Sequence, residues 1–386
     1  MKHLLNNRVT RLQSSKMETF FDMASQHEDV IHLTIGQPDF PTPAHIKIAG
    51  QLAIENNHTT YPPTSGYTEL LKVASNFLYV KYGLTYDPNH EILVTNGSTG
   101  GIYLALRTIL SEGSEVILPT PIYPGYEPVI RLCGAKPIYL DTRDTGFKVT
   151  AEALQKKLSD NTRCVIIASP MNPSGVTLNQ KEIKEIRDLL VNRDVMIVSD
   201  ELYSELVFEG EHVSIAKMEG MKEKTIIING LSKSHAMTGW RIGFAFAPRY
   251  LIEEMRKLQK YTMSAVSSIS QVAAIEALTE GINDAQIMRD QYRVRRDYVY
   301  GRLQSMGLSV VKPNGSFYLF PSISKFGKTS SEFVVDVLKN AKVALIPGNS
   351  FTEHGEGYVR LSYIQPMQVL EEALNRLEKY LCELQS

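Results

Sequence analysis

Five short apolar runs recur along this chain, each closed by turn-forming residues: "EILVT" (91–95), "EVILPT" (115–120), "RCVIIASP" (163–170), "VMIVSDE" (195–201) and "TIIING" (225–230). Runs this rich in Val and Ile, with no polar alternation, read as parallel strands covered on both faces. Between them the apolar positions fall at helical spacing, as with Ile102, Ala105, Leu106 and Ile109, and with Ile183, Ile186 and Leu190. Strand alternating with helix implies an α/β fold, a mainly parallel sheet flanked by helices. After about residue 285 the pattern changes. A long charged helix (284–307) leads into "SVVKPNGSFYLFPS" and "KVALIPGNSF", which read as strands of a smaller α+β domain. A chain of 386 residues is too long for one small core. The expected division is a large domain over 46–285, a small one over 286–386, and an N-terminal segment, 1–45, packing with the small one.

The charge balance narrows the function classes. With 41 basic and 42 acidic residues the net charge is -1, which gives no electrostatic reason to expect nucleic acid or a membrane surface as partner. Cys133, Cys164 and Cys382 form no C-x-x-C pair, and no His/Cys/Asp cluster has metal-ligand spacing, so neither a disulfide framework nor a metal is expected. No apolar run approaches the roughly 18 residues of a membrane helix, and "MKHLLNNRVTRLQ" lacks the apolar stretch of a signal peptide. The expectation is a cytoplasmic protein acting on small molecules.

In open α/β sheets ligands bind beyond the carboxyl ends of the strands, so the residues following each strand matter most. "EILVT" runs into "NGSTGG" and a helix, where free N–H groups and the hydroxyls of Ser98 and Thr99 can cradle an anion. Taken alone it reads first as a glycine-rich turn, and it matches neither the dinucleotide nor the P-loop pattern. "RCVIIASP" ends at "MNPSG", placing the amide of Asn172 in a turn. "VMIVSDELY" delivers Asp200 at the end of an apolar strand, with Tyr203 three residues on. Asp200 alone also reads as a helix cap, but a buried carboxylate needs a partner to stay ionised. "TIIING" is followed by Ser232, Lys233 and Arg241. Taken singly, Lys233 and Arg241 read also as an ordinary surface pair. Together the strand ends offer an anion cup, a guanidinium, an acid, an amide, a phenol and a lysine nucleophile. Pyridoxal phosphate uses all of these: its aldehyde bonds a lysine, its ring nitrogen takes an acid partner, and its phosphate takes the cup and the arginine.

The motifs "GLSKSHAMTGWRIGF", "SDELY", "MNPSG", "PIYPGY", "YPPTSGY", "TIGQPDF" and "YVRLSY" make the sequence resemble fold-type I pyridoxal-phosphate aminotransferases of class I/II over essentially its whole length. The resemblance implies that Lys233 bonds the cofactor, Asp200 pairs with the ring nitrogen, and Asn172 and Tyr203 hold the ring oxygen. It implies that Ser98, Thr99, Ser232 and Arg241 hold the phosphate, and that Tyr123 stacks on the ring. Tyr61 would reach the phosphate of a neighbouring subunit, making the active protein a homodimer with shared sites. Arg360 would bind the substrate α-carboxylate, with the backbone of Gly36 assisting. Alone, Arg360 reads as a plain strand arginine and Tyr123 as a core tyrosine. Gly230 departs from relatives with a phosphate-binding serine there and matches an "NG-x-SK" subgroup, which shifts the expected load onto Ser98, Thr99, Arg241 and Tyr61. His235 is not expected to be a second base.

The implied chemistry moves an amino group between an amino acid and a 2-oxo acid, with 2-oxoglutarate and glutamate as one pair. Within the family the motifs are most similar to bacterial enzymes of the lysine branch acting on N-acetyl-L,L-2,6-diaminopimelate. Aspartate and aromatic aminotransferases share most of them, and a C–S β-lyase would keep Lys233, Asp200 and Arg360. A regulator built on the fold would carry an added DNA-binding module. A nicotinamide dehydrogenase would need a dinucleotide fingerprint, which the sequence lacks.

Overall fold

The five apolar runs become strands of one seven-stranded sheet. The computed structural model describes residues 1–13 and 16–385. The strands in chain order are β1 (Ile31–His32), β2 (Ile92–Asn96), β3 (Glu115–Thr120), β4 (Lys136–Asp141), β5 (Thr162–Ala168), β6 (Met196–Asp200), β7 (Thr225–Gly230), β8 (Ile242–Phe246), β9 (Tyr318–Leu319), β10 (Val343–Ala344), β11 (Ile346–Pro347) and β12 (Val359–Ser362). The large sheet has the order β2-β8-β7-β6-β5-β3-β4. Neighbours from β4 through to β7 are parallel. One expectation needs correction here. β2 does not pair as a parallel strand: its sheet neighbour is β8, antiparallel both to β2 and to β7. β4 and β8 were not among the runs read as strands, because "KPIYLD" carries a lysine, a proline and a terminal aspartate, and "IGFAF" carries a glycine.

Burial explains why the runs lack alternation. Along β5 successive side chains enter opposite faces: Cys164 and Ile166 join one core cluster, Val165 and Ile167 another. Helix Gly97–Ile109 covers the first face with Ile102, Ala105 and Leu106. Helix Gln180–Leu190 covers the second with Ile183, Ile186 and Leu190, and Asn179 and Glu182 close its start as a reciprocal capping box.

The C-terminal hundred residues build a separate three-stranded antiparallel sheet, β11-β12-β9, against the long helix Ala285–Ser305 and helix Met367–Gln385. β1 pairs in parallel with β10, and Leu33 enters the same core cluster as Leu319 and Leu361. The chain leaves β3 outward to β4, then returns across it to β5, β6 and β7. That reversal puts a topological switch point between β3 and β5, where a crevice opens at the carboxyl ends. Among the described residues no helix is long and apolar enough to cross a membrane.

Candidate active site

A cavity of about 430 Å³ lies at that crevice. Every residue expected to hold cofactor or substrate lines it except Tyr61. Tyr61 is 91% exposed on the surface of the chain, so its reach toward a second subunit stays an expectation.

Lys233 follows β7 in a one-turn helix, Leu231–Ser234. Its Nζ donates to the Gly36 carbonyl at 2.5 Å, and it faces the rings of Phe317 at 5.8 Å and Tyr203 at 6.0 Å. Burial, with the positive charges of Arg360 and Arg241 nearby, lowers its pKa from 10.5 to about 8, against a pull from Asp200. A lysine so placed gives up its proton far more readily than an ordinary one, which a base needs.

Asp200 ends β6. Its Oδ2 accepts from the Tyr126 hydroxyl at 2.5 Å and its Oδ1 from the Leu202 N–H at 3.2 Å. Burial still pushes its carboxyl up. The cavity therefore rewards a positive partner for Asp200. Tyr126 was missed, although it stands in "PIYPGY" three residues beyond Tyr123. It starts the helix after β3 (Tyr126–Leu132), and the switch point turns that helix toward the end of β6. Tyr123 lies edge-on to Tyr126 at 5.5 Å.

At the anion cup, helix Gly97–Ile109 has no side-chain cap, which leaves first-turn N–H groups for a ligand. The Gly97 N–H itself is taken by the Arg241 carbonyl at 3.0 Å. Two glycines let the parts close up. A Cβ on Gly97, whose φ is 64°, would sit 2.5 Å from the Arg241 guanidinium, and one on Gly243 would sit 2.6 Å from the Gly97 carbonyl carbon. Arg241 holds a φ of 53°, a left-handed backbone that non-glycine residues seldom adopt and that clusters at functional sites. Position 230 is tight for the serine of other relatives: a Cβ there would lie 3.2 Å from backbone atoms of both Ile242 and Gly243, which would have to give by a few tenths of an ångström.

Arg360 sits in β12 and is 2% exposed. Its Nη1 donates to Asn172 Oδ1 at 3.1 Å and its Nη2 to the Thr34 carbonyl at 2.6 Å. Of a guanidinium's five N–H donors, two are thus used, and the buried Nε has no partner among the described residues. Its guanidinium carbon lies over the Tyr318 ring, 4.3 Å from the centroid. The Tyr203 and Tyr318 hydroxyls meet at 3.1 Å. Tyr318 was a second omission, and its signal, an aromatic after a glycine turn in "NGSFYLF", was on view. His235 turns away into the core, where Nδ1 meets Ser234 Oγ at 2.8 Å and Nε2 meets the Gly281 carbonyl at 2.9 Å. No group of three His, Cys, Asp or Glu among the described residues is placed to hold a metal.

These residues fit pyridoxal phosphate. The uncapped helix end with Arg241 suits a dianion, Asp200 is pushed up by burial and makes no ion pair among the described residues, and Arg360, which lines the cavity with N–H donors to spare, suits a carboxylate beside the ring. Fold and site together define a vitamin B6 enzyme of fold type I. The chain belongs to the aminotransferases of class I and II, a family whose pattern matches residues 28–377. It is 53% identical over 380 residues, 98% of this chain and 96% of the relative, to a probable N-acetyl-LL-diaminopimelate aminotransferase of Bacillus subtilis. It is 40% identical to an aspartate aminotransferase of Pyrococcus abyssi, covering 98% of each. Among solved structures it matches an aromatic aminotransferase from Pyrococcus horikoshii with a TM-score of 0.90 and 41% identity, covering 94% of this chain and 99% of that one. The chain is an aminotransferase, and its cofactor is pyridoxal 5'-phosphate.

Proposed function

We propose that this aminotransferase exchanges amino groups between N-acetyl-L,L-2,6-diaminopimelate and 2-oxoglutarate, with each site residue in the role set out here. The observation that carries the residue roles is the grouping of Lys233, Asp200, Arg241 and Arg360 around one cavity. The 53% identity to the Bacillus subtilis relative supports the substrate.

When bound, pyridoxal phosphate supplies an aldehyde that condenses with amines and a ring that takes up carbanion electrons. Lys233 would attach the cofactor and, once freed, its Nζ would move a proton between the substrate α-carbon and the cofactor's C4′ carbon, a task its pKa of about 8 suits in both directions. Asp200 holds the ring nitrogen's proton, and the cation so made keeps Asp200 ionised in its buried place. Ser98, Thr99, Ser232 and Arg241 bind the phosphate, Tyr123 stacks on the ring, and Asn172 and Tyr203 donate to the ring oxygen. Arg360 orients the α-carboxylate with help from the Gly36 backbone. The division into 1–45, 46–285 and 286–386 places Arg360 and Lys233 in different domains, so closure would bring substrate and base together. Tyr61, exposed on its own chain, completes a partner's phosphate site in a cytoplasmic homodimer.

The test is titration of the holoenzyme's visible band with single amino acids, no oxo acid being present. Bleaching with one equivalent of oxo acid released and the amine form of the cofactor retained ranks the donors, and N-acetyl-L,L-2,6-diaminopimelate should rank first. Continuous pyruvate and ammonia from a cysteine conjugate, with the band restored after each turnover, would instead mean a β-lyase.

A further inference from the structure

Between the two ends of the cavity stands one side chain with a hand on each. Tyr318 is 1% exposed and lies on β9, whose neighbour β12 carries Arg360; Ser362 is its register partner, which puts Arg360 diagonally across on the same face. The guanidinium of Arg360 rests on the Tyr318 ring at 4.3 Å, with Phe351 also near at 5.0 Å. The hydroxyl of the same Tyr318 meets the Tyr203 hydroxyl at 3.1 Å, and Tyr203 comes from the turn after β6 in the other sheet. Gly36 guards the arrangement, because a Cβ there would sit 2.6 Å from the Tyr318 oxygen.

We propose that Tyr318 is a positioning residue that links the carboxylate end of the site to the cofactor end, its ring supporting Arg360 and its hydroxyl supporting Tyr203. The inference rests on the roles proposed above for Arg360 and Tyr203. A phenol has one proton to give. If Tyr203 gives its proton to the ring oxygen, the 3.1 Å contact is made by Tyr318 donating to Tyr203. A donor that itself accepts a hydrogen bond donates more strongly. Tyr318 thus strengthens the bond that Tyr203 makes to the ring oxygen. With the cofactor bound to Lys233, that bond would draw negative charge onto the ring oxygen and so ease loss of the proton from the Lys233 linkage. The ring has a separate task. Arg360 already uses two N–H donors on Asn172 and Thr34, and the π face fixes the guanidinium plane from below while its free edge waits for a carboxylate.

The two tasks separate by substitution. Tyr318→Phe keeps the ring and removes the hydroxyl. It should raise the midpoint of the holoenzyme's pH-dependent colour change by roughly 0.3 of a pH unit, while the dissociation constant for glutarate, an unreactive carboxylate, stays within about twofold. Tyr318→Leu should shift the midpoint equally and weaken glutarate roughly tenfold; should the leucine not fold, Tyr318→Met serves. An unmoved midpoint in Tyr318→Phe, or unchanged glutarate binding in the ring-less variant, overturns the proposal. Tyr203→Phe and Arg360→Lys serve as controls. If the first leaves the midpoint in place or the second leaves glutarate binding intact, the underlying role assignment fails and takes this inference with it. If both controls respond and Tyr318→Phe does not, only the link is wrong.

Discussion

The two ends of the cavity are built by different means. At the end assigned to the cofactor, Asp200, Lys233, Arg241 and Ser98 issue from strands that share one sheet. Their places are tied by ladder hydrogen bonds, with Asn96 opposite Ile242 and Gly230 opposite Gly243. At the end assigned to the carboxylate, the strands are short: β9, β10 and β11 have two residues each. Arg360 has a ladder partner in Ile346, but its guanidinium is placed by side-chain and carbonyl contacts reaching from Asn172, Thr34 and Tyr318. A sheet edge resists displacement because many backbone bonds must change together, whereas contacts between short segments yield more easily. The first end is suited to chemistry that tolerates no drift, and the second to a substrate that must enter and leave.

If that contrast holds, damage to the first end should appear in turnover and damage to the second in apparent affinity. The largest expected effect is at Lys233. Lys233→Ala removes attachment and proton transfer together and should lower kcat roughly 10⁴-fold or more, measured with the best donor from the titration. A variant within tenfold of the wild type would break the assignment. Asp200→Ala comes next. Stranding one charge of a buried pair costs about 3–5 kcal/mol, so weaker cofactor binding and a fall of about 10²- to 10³-fold in kcat/KM are expected. Tyr126→Phe removes one neutral donor from the same carboxylate and should cost about fivefold.

At the opposite end Arg360→Lys keeps the charge but loses the planar fork. KM should rise by roughly 30-fold with kcat changed only a few-fold. A fall in kcat with KM intact would place Arg360 in the chemistry and erase the contrast between the ends.

The same contrast governs what could be read from the sequence. Asp200, Gly230 and Asn172 lie at the ends of long apolar strands, and a strand end is a local signal. The apolar runs, the helical periodicities and the grouping of strand-end residues were therefore legible. Tyr126 and Tyr318 were not, since their roles arise from where the chain goes next. Tyr126 meets a carboxylate 74 residues away because of the strand order, and Tyr318 meets Tyr203 across 115 residues from a strand two residues long. β8 hid for another reason: it needs Gly243 so that the backbone can pass the helix end at the anion cup, and that glycine spoils the apolar run.

The most discriminating test of the Lys233 environment needs neither substrate nor cofactor. In the folded apoprotein burial and two neighbouring arginines lower the lysine from 10.5 to about 8, so the folded chain gives up this proton before the unfolded one does. Below pH 8 both states hold the proton and the folded state bears the full cost of a poorly solvated cation. As pH rises from 8 toward 10.5 only the unfolded state keeps it, and the cost fades. Lys233→Met removes this titration while keeping a chain of similar length. The unfolding free energy of the wild-type apoprotein should therefore gain about 2 kcal/mol on that of the variant between about pH 7 and about pH 10. Taking the difference between the two proteins cancels the other titrating groups and any fixed loss of the bond to the Gly36 carbonyl. A constant difference across that range would mean that Lys233 is solvated in the open site, and that the cofactor end is no more closed to water than the carboxylate end.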